Sequence, residues 1–155
     1  MPAPVSFALG PVELIGVRLD AAGPDAGVIA AIGEQVAAHA VQVVDLVLVA
    51  VSPEGTVSWQ EADGAAFELA GLRGRAPGLI GEDDIRQFAR WLPAGGFALL
   101  VLLELVWLHT MAADLADAGG TVVVDERIPA PIVNAVLDAA VERSVAVAMD
   151  GRFGT

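Results

Sequence analysis

The side chains with the clearest chemical potential are two carboxylates that stand inside apolar runs. Asp45 interrupts the β-branched run Val41 to Val51, and Glu104 follows seven apolar residues that begin at Phe97. An unpaired carboxylate in such surroundings is costly to ionise and can be tuned toward acid or base work. The alternative is an internal ion pair or a place at a strand end, and we favour that structural role.

Two further side chains follow Glu104 closely, Trp107 and His109, so that a carboxylate, an indole and an imidazole could line one pocket. Residues two apart on a helix point in different directions, which favours Trp107 as a core residue and His109 as a surface or helix-end residue. Glu104 and His109 are nevertheless the candidate catalytic residues, and Trp107 is a candidate binding residue. For Glu104 we expect Arg127 as ion-pair partner, since a guanidinium can meet both carboxylate oxygens.

A glycine-rich stretch with two arginines, Arg73 and Arg75, runs from Gly71 to Gly78. It lacks the lysine and the strand-loop-helix context of a phosphate-binding loop, so we interpret it as a flexible connection. If it binds anything, an acidic surface of a second subunit is the natural partner. Arg73, Arg75 and Arg127 are therefore the basic candidates for binding, and deletion of Gly71 to Pro77 is expected to leave the fold standing.

Several residue types are absent from the chain: it contains no cysteine, lysine or tyrosine. Disulfides, thiolate metal sites, Schiff bases and tyrosine acids are therefore excluded. The two imidazoles belong to His39 and His109, and His39 is explained by its place at the C-terminal end of a predicted helix. Neither the histidines nor the carboxylates have the spacing of a metal site, so we expect no metal and no cofactor.

The charge of the chain is strongly acidic, with a net value of −12 from 20 acids and 8 basic residues. Its field opposes contact with a phosphate backbone, so nucleic acid is not expected as a partner. Hydrophobic residues make up 55% of the sequence, but the longest apolar run is broken by Glu104 and is too short to span a bilayer. The N-terminus lacks the basic region of a secretory signal. We therefore expect a cytoplasmic protein and no membrane association.

The length of 155 residues predicts one domain over residues 1–155. The domain includes a Gly-rich variable segment from Glu61 to Gly81, with one helical turn near Ala65 to Leu69. It ends in a C-terminal tail over residues 145–155. The predicted strands are Pro11 to Leu19, Val41 to Val51, Thr56 to Gln60, Phe97 to Glu104 and Thr121 to Glu126. The predicted helices are Asp25 to His39, Glu82 to Leu92, Val106 to Ala118 and a last helix from Pro129 through Val141.

This order of elements predicts an α+β fold, a ferredoxin-like two-layer sandwich of two βαβ units with an added hairpin strand, an inserted helix and a C-terminal helix. A doubly wound sheet is the alternative. The strand Val41 to Val51 is apolar on both sides, because Val47 and Leu48 point to opposite faces. A ferredoxin-like sheet has helices on one face only, so we expect a homo-oligomer through the other face, with the last helix or the variable segment as rival covers.

Five pieces of the chain occur in a familiar order: Gly10-Pro11-Val12-Glu13-Leu14-Ile15-Gly16, Val44-Asp45-Leu46, Gly78-Leu79-Ile80-Gly81-Glu82-Asp83-Asp84-Ile85, Glu104-x-x-Trp107 and Asp125-Glu126-Arg127-Ile128-Pro129. In this order they resemble a family of small uncharacterised actinobacterial proteins, from about Gly10 to Ala140. That family is similar to a group with a glycine-zipper segment, often labelled membrane-associated, from which this chain departs at Arg73 and Arg75. The resemblance implies no activity and no catalytic residue.

Two classes of function therefore stand beside each other. The abundance of apolar surface and the scarcity of catalytic side chains favour a non-enzymatic oligomerisation or binding module. The alternative is a dimeric α+β-barrel enzyme or small-molecule binder, with an apolar pocket near Glu104, Trp107 and His109.

Overall fold

The computed structural model describes residues 9–23, 26–64, 67–68 and 70–151 of the 155-residue chain. The predicted strands and helices as far as Asp117 are confirmed, with ends that differ by a few residues. In chain order the elements are β1 (Val12–Leu19), α1 (Ala26–Ala37), β2 (Gln42–Val51), β3 (Val57–Glu61), α2 (Glu82–Ala89), β4 (Phe97–Glu104), α3 (Val106–Asp117) and α4 (Ala130–Asp150).

Two predictions for the C-terminal third are wrong. Residues 121–126 form no strand, because a run of β-branched residues becomes a strand only when another strand pairs with it. Helix α4 continues to Asp150, so residues 145–150 are helical and not a tail. Of the helical turn predicted near Ala65 to Leu69, residues 67–68 are helical and residues 65, 66 and 69 lie outside the described residues, as does Asp25.

The sheet has four strands in the order β1-β4-β2-β3, and every neighbouring pair is antiparallel. Because β4 lies between β1 and β2, those two strands run in the same direction, and α1 is the connection between them. The α+β class is confirmed. The ferredoxin-like arrangement is not, since its second βαβ unit would require the strand that residues 121–126 do not form.

Helices cover both faces of this sheet, which is a third difference from expectation. Alternate residues of β4 belong to two separate cores: Leu99 and Val101 pack with residues of α1, and Ala98 and Leu100 pack with residues of α2. Val47 packs on the α2 side and Leu48 on the α1 side. The premise that helices lie on one sheet face only is therefore wrong, because α2 packs on the other face. On that face Val12 and Leu14 of β1 are still 47% and 43% exposed, and self-association through the sheet stays a prediction.

The Gly-rich segment crosses from one core to the other. We call residues 70–80 the crossing segment: Leu72 is fully buried in the α1-side core, and Ile80 is buried in the α2-side core. Between them the backbone N–H groups of Arg75 and Ala76 donate to the carbonyls of the first residues of β2, Val43 and Val44. A Cβ on Gly74 would lie 3.0 Å from the Val44 carbonyl oxygen, so this close approach favours glycine. The segment we expected to be a flexible connection is therefore anchored to the sheet and contributes Leu72 and Ile80 to the two cores.

The C-terminal residues, Thr121–Thr155, form a second compact unit in addition to the unit Met1–Gly120 of the sequence. Its described part consists of an irregular stretch over residues 121–129 and helix α4, which has no buried residue. Large apolar side chains on α4 are between 41% and 73% exposed. Within the described ranges, no helix combines the length and the hydropathy that crossing a bilayer requires.

Candidate functional site

The buried carboxylate Asp45 lies at a bulge in β2, where the register to β4 shifts between Val43 and Asp45. Asp45 is 1% exposed. Its Oδ1 atom accepts the backbone N–H of Leu46 at 2.8 Å, and its Oδ2 atom accepts that of Ile80 at 2.8 Å. Two backbone donors therefore fix the carboxylate in place, and one of them comes from the crossing segment.

A second carboxyl group, that of Glu61, meets Asp45 at this point. Glu61 is the last residue of β3 and is exposed as a whole, but its carboxyl group hydrogen-bonds to that of Asp45 and accepts the backbone N–H of Gly78 at 3.0 Å. Burial of the carboxyl raises the pKa of Glu61 to about 7; the hydrogen bond and the charge of Asp45 also raise it, as does Asp63, while the Gly78 N–H lowers it. The protonated form of Glu61 is therefore favoured toward neutral pH.

A cleft of about 360 Å³ opens over this carboxyl pair. Its polar lining is acidic, with Asp63 and Glu68 beside the pair and Arg73 as a cation. Its apolar lining consists of four residues: Leu46 of β2, Ala62 directly after β3, Phe67, and Pro77 of the crossing segment. The cleft thus joins four carboxyl groups to an apolar surface.

This arrangement suits proton exchange or the binding of a cation. A protonated carboxyl beside a second carboxyl group can donate and accept a proton, as in general acid–base catalysis. The residues that line the cleft, however, include no hydroxyl, imidazole or thiol that could act as a nucleophile. Across the described residues, no group of three or more acids and histidines is placed to hold a metal ion.

The other buried carboxylate, Glu104, forms a separate cluster at the end of β4. One of its oxygens lies 3.3 Å from the Nη1 atom of Arg75. The other lies 3.3 Å from the Nδ1 atom of His109 and accepts the backbone N–H of Gly10 at 3.3 Å. Gln42, opposite Glu104 in the β2–β4 register, accepts from Arg75 at 3.1 Å. Glu104 is only 4% exposed, so these partners compensate for its lost hydration.

The structure brings Glu104 and His109 together, as the sequence suggested, but it corrects two other expectations. The observed ion-pair partner of Glu104 is Arg75, whereas we expected Arg127, which belongs to the C-terminal unit. The crossing segment carries Arg75 back past the start of β2, across 29 positions of sequence. Trp107 is half-exposed instead of lying in the core, and its backbone N–H donates to the carbonyl of Ala40.

The two arginines of the Gly-rich stretch lie at different sites. Arg73 lines the carboxyl cleft, whereas Arg75 binds Glu104. Arg73 shares its cleft with four acidic residues and Arg75 pairs with a carboxylate, so the stretch does not resemble a phosphate-binding loop in space.

Glu61 is the functional candidate that sequence reasoning missed. The signal for it was present in the hairpin: the turn at Pro53 to Gly55 pairs Val47 with Glu61, which places Glu61 diagonally opposite Asp45 on the same sheet face. Counting back from the turn would have found the pair. Finding Asp63 and Glu68 beside it requires the path of the chain after β3, which no local pattern gives.

Fold and site together define an α+β protein with helices on both faces of a four-stranded antiparallel sheet and an acid-lined cleft at the end of its hairpin. Over residues 8–145 the chain matches a Family of unknown function (DUF6325), and it belongs to that family. No curated protein and no solved structure matches it.

Proposed function

We propose that the chain is a non-enzymatic binding module that holds a small organic cation, such as an amine or a guanidinium compound, in the cleft over Asp45 and Glu61. The observation that carries this proposal is the cleft in which the carboxyl groups of Asp45 and Glu61 meet, with Asp63 and Glu68 beside them. Burial and the neighbouring acids raise the pKa of Glu61 to about 7, which shows how concentrated the negative charge is there. An organic cation in the cleft would be attracted by the charge of this pair and could form a charge-assisted hydrogen bond with Glu61, the more exposed member.

The surroundings of the pair support the same ligand class. Asp63 and Glu68 add two acids at the cleft, and only Arg73 opposes them among its lining residues. The field of a chain with net charge −12 draws cations toward such a cleft. Its volume of about 360 Å³ lies at the small end of the range for ligand pockets, roughly 300–1,000 Å³, and Phe67 and Pro77 offer contact for a short alkyl body.

Binding of a cation should be linked to release of the proton. A cation favours the ionised form of Glu61, so its affinity should rise with pH and level off above the pKa of about 7. Below that value each bound cation must displace a proton, which lowers the apparent affinity.

Isothermal titration calorimetry with agmatine and putrescine as probes, at pH 6, 7 and 8, tests the proposal. We expect binding that strengthens with pH and releases a proton at pH 6, seen as a dependence of the heat on the buffer's ionisation enthalpy. Glu61→Gln should weaken binding and remove the proton release, while Glu54→Gln, an exposed acid in the turn of the same hairpin, should change neither. The proposal would be refuted if neither cation bound, or if the dianion glutarate bound with the same affinity as the cations.

A pocket near Glu104, Trp107 and His109 has less support. Glu104 already has a guanidinium, an imidazole and a backbone N–H as partners, so its charge is compensated inside the protein. An enzyme built on this cluster would have to break those contacts before the carboxylate could act.

Self-association is a second candidate function, and helix α4 favours it over the sheet. We propose that α4 pairs antiparallel with α4 of a second copy, because a two-fold contact of this kind lets each copy cover the same apolar stretch of the other. The helix spans 21 residues, about 30 Å, and no residue of it is buried. Two of its three acids, Asp138 and Glu142, share one side and can remain in water, and the third, Asp150, is its last residue.

Light scattering coupled to size-exclusion chromatography tests this second proposal. We expect a dimer whose dissociation is favoured by Val136→Asp, because the new charge would enter the apolar contact. Asp138→Asn, on the acidic side of the same helix, is the matched control and should leave the mass unchanged. A monomer mass for the wild type at all accessible concentrations would exclude the pairing.

A further inference from the structure

We propose that the outer edge of β1 pairs with β1 of a second copy of the chain. The two strands run antiparallel around a two-fold axis at Ile15, so that the two four-stranded sheets become continuous. The contact includes Phe88 of α2, whose ring lies over β1. It goes beyond the proposed function, because it requires neither the cation nor the pairing of α4.

The free edge of β1 follows from the strand order. Among the strands that the structure describes, β1 pairs with β4 alone. In the same register the N–H of Leu105 donates to the carbonyl of Pro11. Because hydrogen bonding alternates along an antiparallel pair, the odd-numbered residues of β1 bond to β4 and the even-numbered ones direct their N–H and C=O groups outward. These outward residues are all exposed: Val12, Leu14, Gly16 and Arg18. Such an edge can accept a further strand.

Apolar side chains adjoin this edge on the sheet face where α2 packs. Val12 and Leu14 are exposed there, and Leu102, which pairs with Leu14, is only partly buried. A Cβ on Gly16 would lie 2.1 Å from the ring of Phe88, so this partly buried ring rests directly on the strand. The edge therefore carries a projecting apolar side chain, Leu14, two residues from a flat apolar surface formed by Gly16 and Phe88.

The pattern of β1 selects one register for the pair. Residues of equal parity must stand opposite each other, because the two faces of the sheet continue across the axis. With Ile15 opposite itself, Val12 pairs with Arg18 and Leu14 pairs with Gly16, and all the outward backbone groups find partners. An axis at Leu14 or Gly16 would move Arg18 or Val12 beyond the end of the other strand.

The side chains agree with this register. Leu14 of each copy lies on Gly16 and Phe88 of the other, and this covers the apolar surface of both copies. The charged residues of β1, Glu13 and Arg18, each stand opposite a valine, so like charges do not meet directly. One strand supplies both the projecting side chain and the surface that receives it. A second copy is therefore the occupant that the edge fits.

The contact is small, since each copy contributes one strand and one aromatic ring. Interfaces of this size are typical of weak association, so we expect a dissociation constant in the micromolar range. Each copy carries a net charge of −12, so repulsion between the copies opposes the contact, and added salt should strengthen it.

Disulfide cross-linking of the full chain tests the register, because the sequence contains no cysteine. In the proposed pair the two copies of Ile15 form a non-hydrogen-bonded pair with Cα atoms about 4.5 Å apart, which a disulfide can bridge. Ile15→Cys should therefore give a covalent dimer under mild oxidation. Val17→Cys, on the same side of the same strand and also partly buried, is the control, because its two copies would be roughly 14 Å apart. We expect at least about tenfold less dimer from it. No covalent dimer from Ile15→Cys, or equal yields from the two variants, would overturn the register.

Sedimentation velocity separates this contact from the pairing of α4, when it is carried out on the Val136→Asp variant, in which α4 pairing is disfavoured. We expect this variant to self-associate reversibly. Adding Leu14→Lys should raise the dissociation constant about tenfold or more, because the new charge would lie on Phe88 of the other copy. Ser58→Lys adds the same charge to an exposed position of β3, the other edge strand, and should change nothing. A monomer at all accessible concentrations, or equal weakening by both lysines, would overturn the β1 contact. Neither result bears on cation binding in the calorimeter, so the two proposals can fail independently.

Discussion

The ion pair between Glu104 and Arg75 provides the most direct test of how the crossing segment is held. We expect Glu104→Gln to lower the free energy of unfolding by about 2 kcal/mol, since hydrogen bonds to a charged group contribute about 1.5–3 kcal/mol and the amide keeps only part of the set. For a chain of this length that loss lowers the melting temperature by roughly 8 °C. Arg75→Gln should cost less, because the carboxylate keeps His109 and Gly10 as partners.

The coupling energy between the two residues follows from their burial. Breaking a fully buried pair costs about 3–5 kcal/mol, and exposed pairs contribute about 0–1 kcal/mol. Here the Glu104 side chain is 5% exposed and that of Arg75 is 39% exposed, with a single contact of 3.3 Å. The pair lies between the two cases, and we expect a coupling energy of about 1–1.5 kcal/mol.

Urea denaturation of Glu104→Gln, Arg75→Gln and the double variant, followed by circular dichroism, measures this coupling energy. The protein contains its own control in Glu82 and Arg86, an i,i+4 pair at 2.9 Å on α2 in which both side chains are more than half exposed. That shorter contact should give only about 0.3–0.5 kcal/mol. Additive losses for Glu104 and Arg75, or a larger coupling for the exposed pair, would refute the argument that burial decides the strength.

Two further predictions concern stability. His39 follows α1 with a φ of +56°, in the position where helices commonly end with glycine, and its N–H and that of Ala40 close the last turn. His39→Gly should therefore raise the free energy of unfolding by about 1 kcal/mol in a thermal melt, whereas His39→Ala should not. The raised pKa of Glu61 means that its neutral form is favoured by folding, so its contribution is complete below its ordinary value of 4.5 and is lost as the pH rises through about 7. Urea melts from pH 5 to 8 should show a loss on the order of 1 kcal/mol after allowance for solvent screening, absent in Glu61→Gln; a flat wild-type profile would contradict it.

The sequence predicted the elements of residues 1–120 because their signals are local. The alternation in β2, the acids that open α2 and the glycines after α3 act within a few residues. Strand order is not local: nothing within β4 says that it lies between β1 and β2. The predicted strand at residues 121–126 failed for the same reason, since pairing depends on an edge elsewhere in the chain.

The candidate site shows the same difference between local signals, which the sequence reveals, and long-range contacts, which it does not. Glu104 and His109 are five positions apart, across the end of a strand and the first turn of a helix, so their contact at 3.3 Å was within reach of sequence reasoning. Arg75 reaches Glu104 only because the crossing segment passes the start of β2. We had identified each of the three as a candidate, but their assembly required the path of the chain.

Deletion of Gly71 to Pro77 is where the structure reverses a prediction made from composition. A Gly-rich stretch with two arginines has the composition of a dispensable loop, yet it supplies Leu72 to the core and Arg75 to Glu104. The deletion would leave a cavity in place of Leu72, at a cost of about 2–5 kcal/mol, and a buried carboxylate without its guanidinium. It would also pull Ile80 away from Asp45, so that both buried acids lose partners together. These losses approach the total stability of about 5–15 kcal/mol of an ordinary domain, and we expect the deleted chain to lack a cooperative melt. Replacing Gly78 and Leu79 by two serines, which keeps the backbone hydrogen bonds of Ala76 and Ile80, should retain one. A deletion variant that melts cooperatively near the wild-type temperature would show that the two acids find other partners and that the crossing segment does not hold the sheet.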